Sequence, residues 1–182
     1  GFNIFPRKSC EKLFQYNKRN NSTLMAVQGS NLESLLDKAK ELEKKYEWLQ
    51  AAECYGKASE LVLAEKNVLR AADLNEKTSF CYYRAALQST SNTQFNSRIE
   101  KAINFRSSAV GYLQKISNER IEGRIFNSKA MISYYESWLE TESLKRIALL
   151  NEWWNLKTKS MKCFETMGDK IAVAKICNDM ME

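Results

Sequence analysis

A chain of 182 residues with a single proline, Pro6, and six glycines has little with which to break regular structure. Pro6, Gly1 and Gly29 all fall within the first thirty residues, so the rest of the sequence is short of the residues that punctuate strands and turns. That scarcity predicts an all-α chain. Hydrophobic residues make up 44% of it, enough to line a continuous core at the size of one domain. No apolar run approaches the roughly 20 residues needed to span a bilayer. The opening residues, Gly1 to Lys8, also lack the order of a secretory signal. A cytoplasmic protein with no membrane insertion is expected.

Apolar spacing divides residues 31–182 into six or seven helices. Ser30 or Asn31 can cap the first, with Glu33 near its start and Leu32, Leu35, Leu36, Ala39 and Leu42 as its stripe. A second helix runs from about Trp48 to Leu63, Glu65, Lys66 and Asn67 make the next turn, and a longer third helix is supported by Val68, Ala71, Ala72, Leu74, Phe80, Tyr83, Ala86 and Leu87. Ser89 to Gln94 reads as an interior loop. The fourth helix carries Ile99 to Ile116 and ends at Ser117 and Asn118, and the fifth carries Ile121 to Leu139. A sixth runs from about Ser143 to Thr166, is terminated by Gly168, and is followed by an alanine-rich helix.

Residues 1–30 differ from this pattern. Arg7, Lys8, Lys12, Lys18 and Arg19 face only Glu11, and Asn17, Asn20, Asn21, Ser22 and Thr23 form a polar tract without helical period. They are expected to be a basic tail or a loosely attached segment. Asn20 and Asn21 each begin an N-x-[ST] sequon, which has meaning only in a secreted protein. A start other than methionine, and a helical pattern still running at Met181, are what a piece of a longer array would show.

The stretch from Leu42 to Leu61 holds the most specific signal. Ala51, Tyr55 and Ala58 fall at i, i+4 and i+7, so two small residues permit close helix approach while a ring fills the gap beside them. With Trp48 on the same helix, and Leu35 and Leu42 on the helix before, this resembles a degenerate tetratricopeptide repeat. The run from Cys163 to Cys177, with an aromatic residue, a Gly-Asp turn and an alanine-rich helix, resembles a junction between two such repeats. Long helices with small-residue segments such as Arg84-Ala85-Ala86 are also similar to SNAP-type vesicle-fusion adaptors, and the helices beginning near Leu32 to the microtubule-interacting-and-trafficking module. The tetratricopeptide resemblance implies antiparallel helix pairs stacked as a short right-handed α-solenoid. It also implies a scaffold that binds another protein, or another domain of the same polypeptide, on a concave face.

Chemistry is constrained by what the chain lacks. There is no histidine, which removes imidazole acid–base chemistry and His-metal ligation. Five cysteines without C-x-x-C spacing suggest neither a disulfide framework nor a zinc site, and Cys54, Cys81 and Cys163, each followed by an aromatic residue, suit small apolar fillers. No phosphate loop, zincin or nucleophile-elbow motif occurs, and Glu136 and Glu140 share a helix face without metal-ligating partners. A non-enzymatic chain without cofactor or metal is expected.

Charge is uneven. Residues 97–163 carry twelve Lys/Arg against seven Asp/Glu, whereas residues 31–96 carry nine against ten. Arg120, Arg124 and Lys129, near Tyr135, are the residues expected to meet a partner, with an acidic peptide or carboxylate as the matching charge. In Tyr134–Tyr135 and Trp153–Trp154, neighbours sit roughly 100° apart on a helix, so one ring of each pair must point away from the core. A pI near 9.0 and abundant rings keep helical-repeat RNA binding as the rival reading, although no repeated base-reading pair occurs.

Overall fold

The computed structural model of the chain describes residues 31–116 and 118–181, and among them every regular element is helical. The predicted basic segment 1–30, with Asn20, Asn21 and Cys10, lies outside the described residues. The seven helices are α1 (31–44), α2 (Trp48–Ala64), α3 (Val68–Leu87), α4 (Asn92–Leu113), α5 (Glu119–Leu139), α6 (Ser143–Thr166) and α7 (Lys170–Met181). None is long and apolar enough to cross a membrane.

Three connections are built in the same way, and only one of them is visible as a glycine. After α6, Gly168 adopts φ +69°, its N–H donates to the Glu165 carbonyl at 3.0 Å, and the Asp169 N–H reaches back to the Phe164 carbonyl at 2.9 Å. This pair of reversed bonds satisfies carbonyls that the helix end would leave open. The same pair follows α1, through Tyr46 and Glu47, and α2, through Lys66 and Asn67, with φ of 60° at Tyr46 and 61° at Lys66. Each time the next helix starts two residues later. An L-residue with a side chain costs about 1–2 kcal/mol in that left-handed conformation, so the turn predicted at Glu65, Lys66 and Asn67 is found in place but built without the glycine that marks the one at Gly168.

Side chains cap the starts of α3, α4, α5 and α7. The Asn67, Ser91, Asn118 and Asp169 side chains accept from the N–H groups of Arg70, Gln94, Ile121 and Ala172. The predicted loop from Ser89 to Gln94 is therefore shorter than expected: Ser91 is a cap and α4 begins at Asn92. Polar residues of a first helical turn look like loop in sequence because their side chains stay in water. At its other end α4 stops at Leu113, and two tighter bonds, Lys115 N–H to Tyr112 and Ile116 N–H to Leu113, close the turn before Asn118.

Consecutive helices pack on one another, and the small residues set how closely. On α2, Ala51, Tyr55, Ala58 and Val62 are buried, so the face that carries the repeat-like signal is a core face. Helix α3 is buried on more than one side, with Ala71, Ala72, Leu74, Cys81, Ala85 and Ala86 all inaccessible. Hydroxyls reinforce these close approaches. Ser59 Oγ donates to the Ala71 carbonyl at 3.2 Å, Ser79 Oγ to the Ala102 carbonyl at 2.7 Å, and Ser160 Oγ to the Gly123 carbonyl at 2.7 Å. Gly123 is needed at the α5–α6 contact, because a Cβ there would sit 3.0 Å from the Phe164 ring. Cys54 and Cys81 are buried fillers, and Cys163 is half-buried.

The shared turn makes opposite predictions at two positions. Lys66→Gly removes left-handed strain and raises stability by about 0.5–1 kcal/mol, whereas Gly168→Ala introduces it and lowers stability by about 1 kcal/mol or more. Urea unfolding of the two variants measures both, and a loss of stability in Lys66→Gly would refute this account of the turns.

Candidate binding groove

A stripe on α3 that the core does not use defines the site. Asp73, Glu76, Lys77, Phe80, Tyr83 and Arg84 recur at helical spacing and line one wall of a groove of about 650 Å³. Asn127, Met131 and Tyr134 of α5, Lys175 and Asp179 of α7, Glu43 of α1, Arg106 of α4 and Trp153 of α6 line the rest of it. The volume is within the range of sites that enclose a small ligand or a few side chains of a partner.

Under this groove lies a polar network joining α3 to α5. Arg124 Nη2 donates to Asp73 Oδ1 at 2.6 Å and to Glu76 Oε2 at 2.8 Å, and Ser128 Oγ donates to Glu76 Oε1 at 2.7 Å. Burial alone would lower the Arg124 pKa, but the charges of Glu76 and Asp73 more than offset it, so the guanidinium is held even more firmly protonated than usual. Arg106, almost fully buried, lies 4.0 Å from Glu76 Oε1 and donates from Nε to Ser79 Oγ at 3.4 Å. The Tyr135 hydroxyl is buried, without a hydrogen-bond partner among the described residues.

A second buried charge ties α5, α6 and α7 together. Lys157 is inaccessible, and its Nζ donates to Asn127 Oδ1 at 2.9 Å and to Asp179 Oδ2 at 2.7 Å. Burial pulls its pKa below the usual lysine range, and the charge on Asp179 opposes that pull. At the other end, Glu43 accepts from the Tyr55 hydroxyl at 2.8 Å and from the Cys81 thiol at 3.6 Å. Burial, followed by the negative charge on Glu43, pushes the Cys81 thiol up to about 12, so it stays protonated and a poor nucleophile.

Aromatic rings run along the groove and out to its rim. Tyr83 stacks on Tyr135 at 5.0 Å and meets Tyr134 edge-on at 5.9 Å, and Tyr134 lies 5.7 Å from Trp153. Trp153 contacts Trp154, which is 52% exposed, and across the groove Phe80, 41% exposed, packs edge-on against Trp48. Each adjacent pair therefore splits: Tyr135 is core while Tyr134 lines the groove, and Trp153 lines the groove while Trp154 faces water.

The residues singled out in the sequence do not form one patch. Arg120 is exposed and pairs with Asp169 at 3.1 Å, bracing the start of α7. Arg124 lies beside the groove but is engaged by Asp73 and Glu76, Lys129 is exposed, and Tyr135 is fully buried. Among the groove residues that this choice passed over are Lys77, Arg84, Lys175 and Trp153. The available signal was the α3 stripe from Asp73 to Arg84, which alternates with the small-residue face, but Phe80 and Tyr83 looked like core residues. Among the described residues, no cluster of Cys, Asp and Glu is placed to hold a metal ion. No family model and no curated protein matches the chain.

The α3–α5 network predicts a stability effect. Arg124→Leu leaves Asp73 and Glu76 without their cation and lowers stability by about 2 kcal/mol, while Arg124→Lys recovers only part because a single ammonium cannot reproduce the planar guanidinium. Urea denaturation reads both, and equal stability of Arg124→Leu and the unaltered chain would show that the network does not hold α3 to α5.

Proposed function

We propose that the chain is a non-catalytic scaffold, a short tetratricopeptide-like solenoid whose groove docks a segment or domain of a protein partner. One observation carries this reading: α1, α3, α5 and α7 supply every groove wall residue except Arg106 and Trp153. Alternate helices converge on a common face when helix pairs stack side by side, and such a face is where solenoids bind. Bonds between neighbours support pairs that run antiparallel, since Arg98, in the early part of α4, donates to the Ala85 carbonyl near the end of α3 at 2.7 Å. Half-exposed rings in a concave surface are the kind of anchor that dominates protein interfaces.

The rival reading is binding of an RNA backbone, which the cations that line the groove would also attract. A photo-crosslinking amino acid placed at Phe80, inside the groove, and at Leu144, 75% exposed on α6, separates the possibilities in cell lysate. A discrete protein adduct from position 80 only, unaffected by nuclease, is the expected result. Adducts to RNA, or the same adducts from both positions, would overturn the proposal.

A further inference from the structure

The carboxylates of the groove are already engaged, and three of its cations are not. Asp73 and Glu76 are held by Arg124, Asp179 by Lys157, and Glu43 accepts from Tyr55 and Cys81. Among the described residues, Lys77, Arg84 and Lys175 make no ion pair. Lys77 and Arg84 lie instead over rings, with Lys77 Nζ 5.1 Å from the Tyr55 centroid and Arg84 Cζ 5.2 Å from that of Trp48. Such contacts leave most of a cation's charge available. The groove is therefore balanced in formal charge but positive in the charge that a visitor meets.

We infer that the groove selects an acidic segment of a protein that carries a large apolar side chain. This rests on the docking reading above. Lys77 and Arg84 on α3 and Lys175 on α7 line the groove together with Phe80, Tyr134 and Trp153. Carboxylates would meet the unpaired cations, and an apolar side chain would displace water from the rings. A polyanion without that side chain would leave the rings wet, and an apolar segment without acids would leave the cations unpaired. At the floor, the almost fully buried Arg106 guanidinium donates to Ser79 at 3.4 Å and approaches Glu76 at 4.0 Å, which adds to the positive charge behind the wall.

Selection from a random displayed-peptide library on the full 182-residue chain tests this without choosing the ligand in advance. Enriched peptides are resynthesised with a fluorescent label, and their affinity is measured by anisotropy for the chain and for three variants. Acidic peptides with a large apolar residue are expected, bound about tenfold or more weakly by the double variant Lys77→Glu/Lys175→Glu, weakly by Phe80→Ser, and unchanged by Lys145→Glu on the outer face of α6. Peptides that lack net negative charge but still depend on Phe80 would overturn the inference and leave the docking groove standing. A selection in which nothing depends on Phe80, Lys77 or Lys175 would overturn both. Circular dichroism of each variant confirms that it is folded.

Discussion

Helix α3 has to be buried against several neighbours at once, and everything else in the molecule is arranged around that constraint. Small residues make this possible: Ala71, Ala72, Cys81, Ala85 and Ala86 let α2 and α4 approach closely, and Ser59 and Ser79 add hydrogen bonds where larger side chains would force the helices apart. With those sides committed, the remaining stripe of α3 carries Asp73, Glu76, Lys77, Phe80, Tyr83 and Arg84. The groove is a consequence of how α3 is packed.

Holding that groove open requires α3 and α5 to stand at a fixed separation, which the Asp73–Glu76–Arg124–Ser128 network provides. A single Arg124 nitrogen, Nη2, bridges two carboxylates a helical turn apart on α3 and so ties both to α5. Lys157 does the corresponding work between α5, α6 and α7. The two networks offset part of the acidic charge near the groove, Glu43 keeps its own, and among the described residues Lys77, Arg84 and Lys175 are left without an ion pair. The same ion pairs that shape the site therefore also set its electrostatic sign.

The architecture was legible where it depended on local pattern. The absence of breakers announced helices, and α6 was bounded correctly by the apolar run from Ile147 to Phe164 and by Gly168. The start of α4 was not, because Asn92, Thr93 and Gln94 are polar in either state. The turn at Glu65, Lys66 and Asn67 was legible from the break in apolar spacing, but the left-handed conformation at Tyr46 and Lys66 was not, since it usually calls for glycine. The site was harder still to read. Arg120, Arg124 and Lys129 are neighbours in sequence, yet the first two are engaged by Asp169 and by Asp73 with Glu76, partners far away in the chain. Which cations remain unpaired is a property of tertiary contact, and helical spacing carries no information about it.

Met131 offers the most direct test of the central claim that this groove is where a partner docks, because its side chain lines the α5 wall while Met161 contacts Cys177 instead. The chain has six methionines, few enough for each labelled methyl group to be resolved by NMR. Titration with the bound partner segment is predicted to shift or broaden the Met131 signal and leave Met161 in place. Saturable binding with Met131 unmoved would contradict the account.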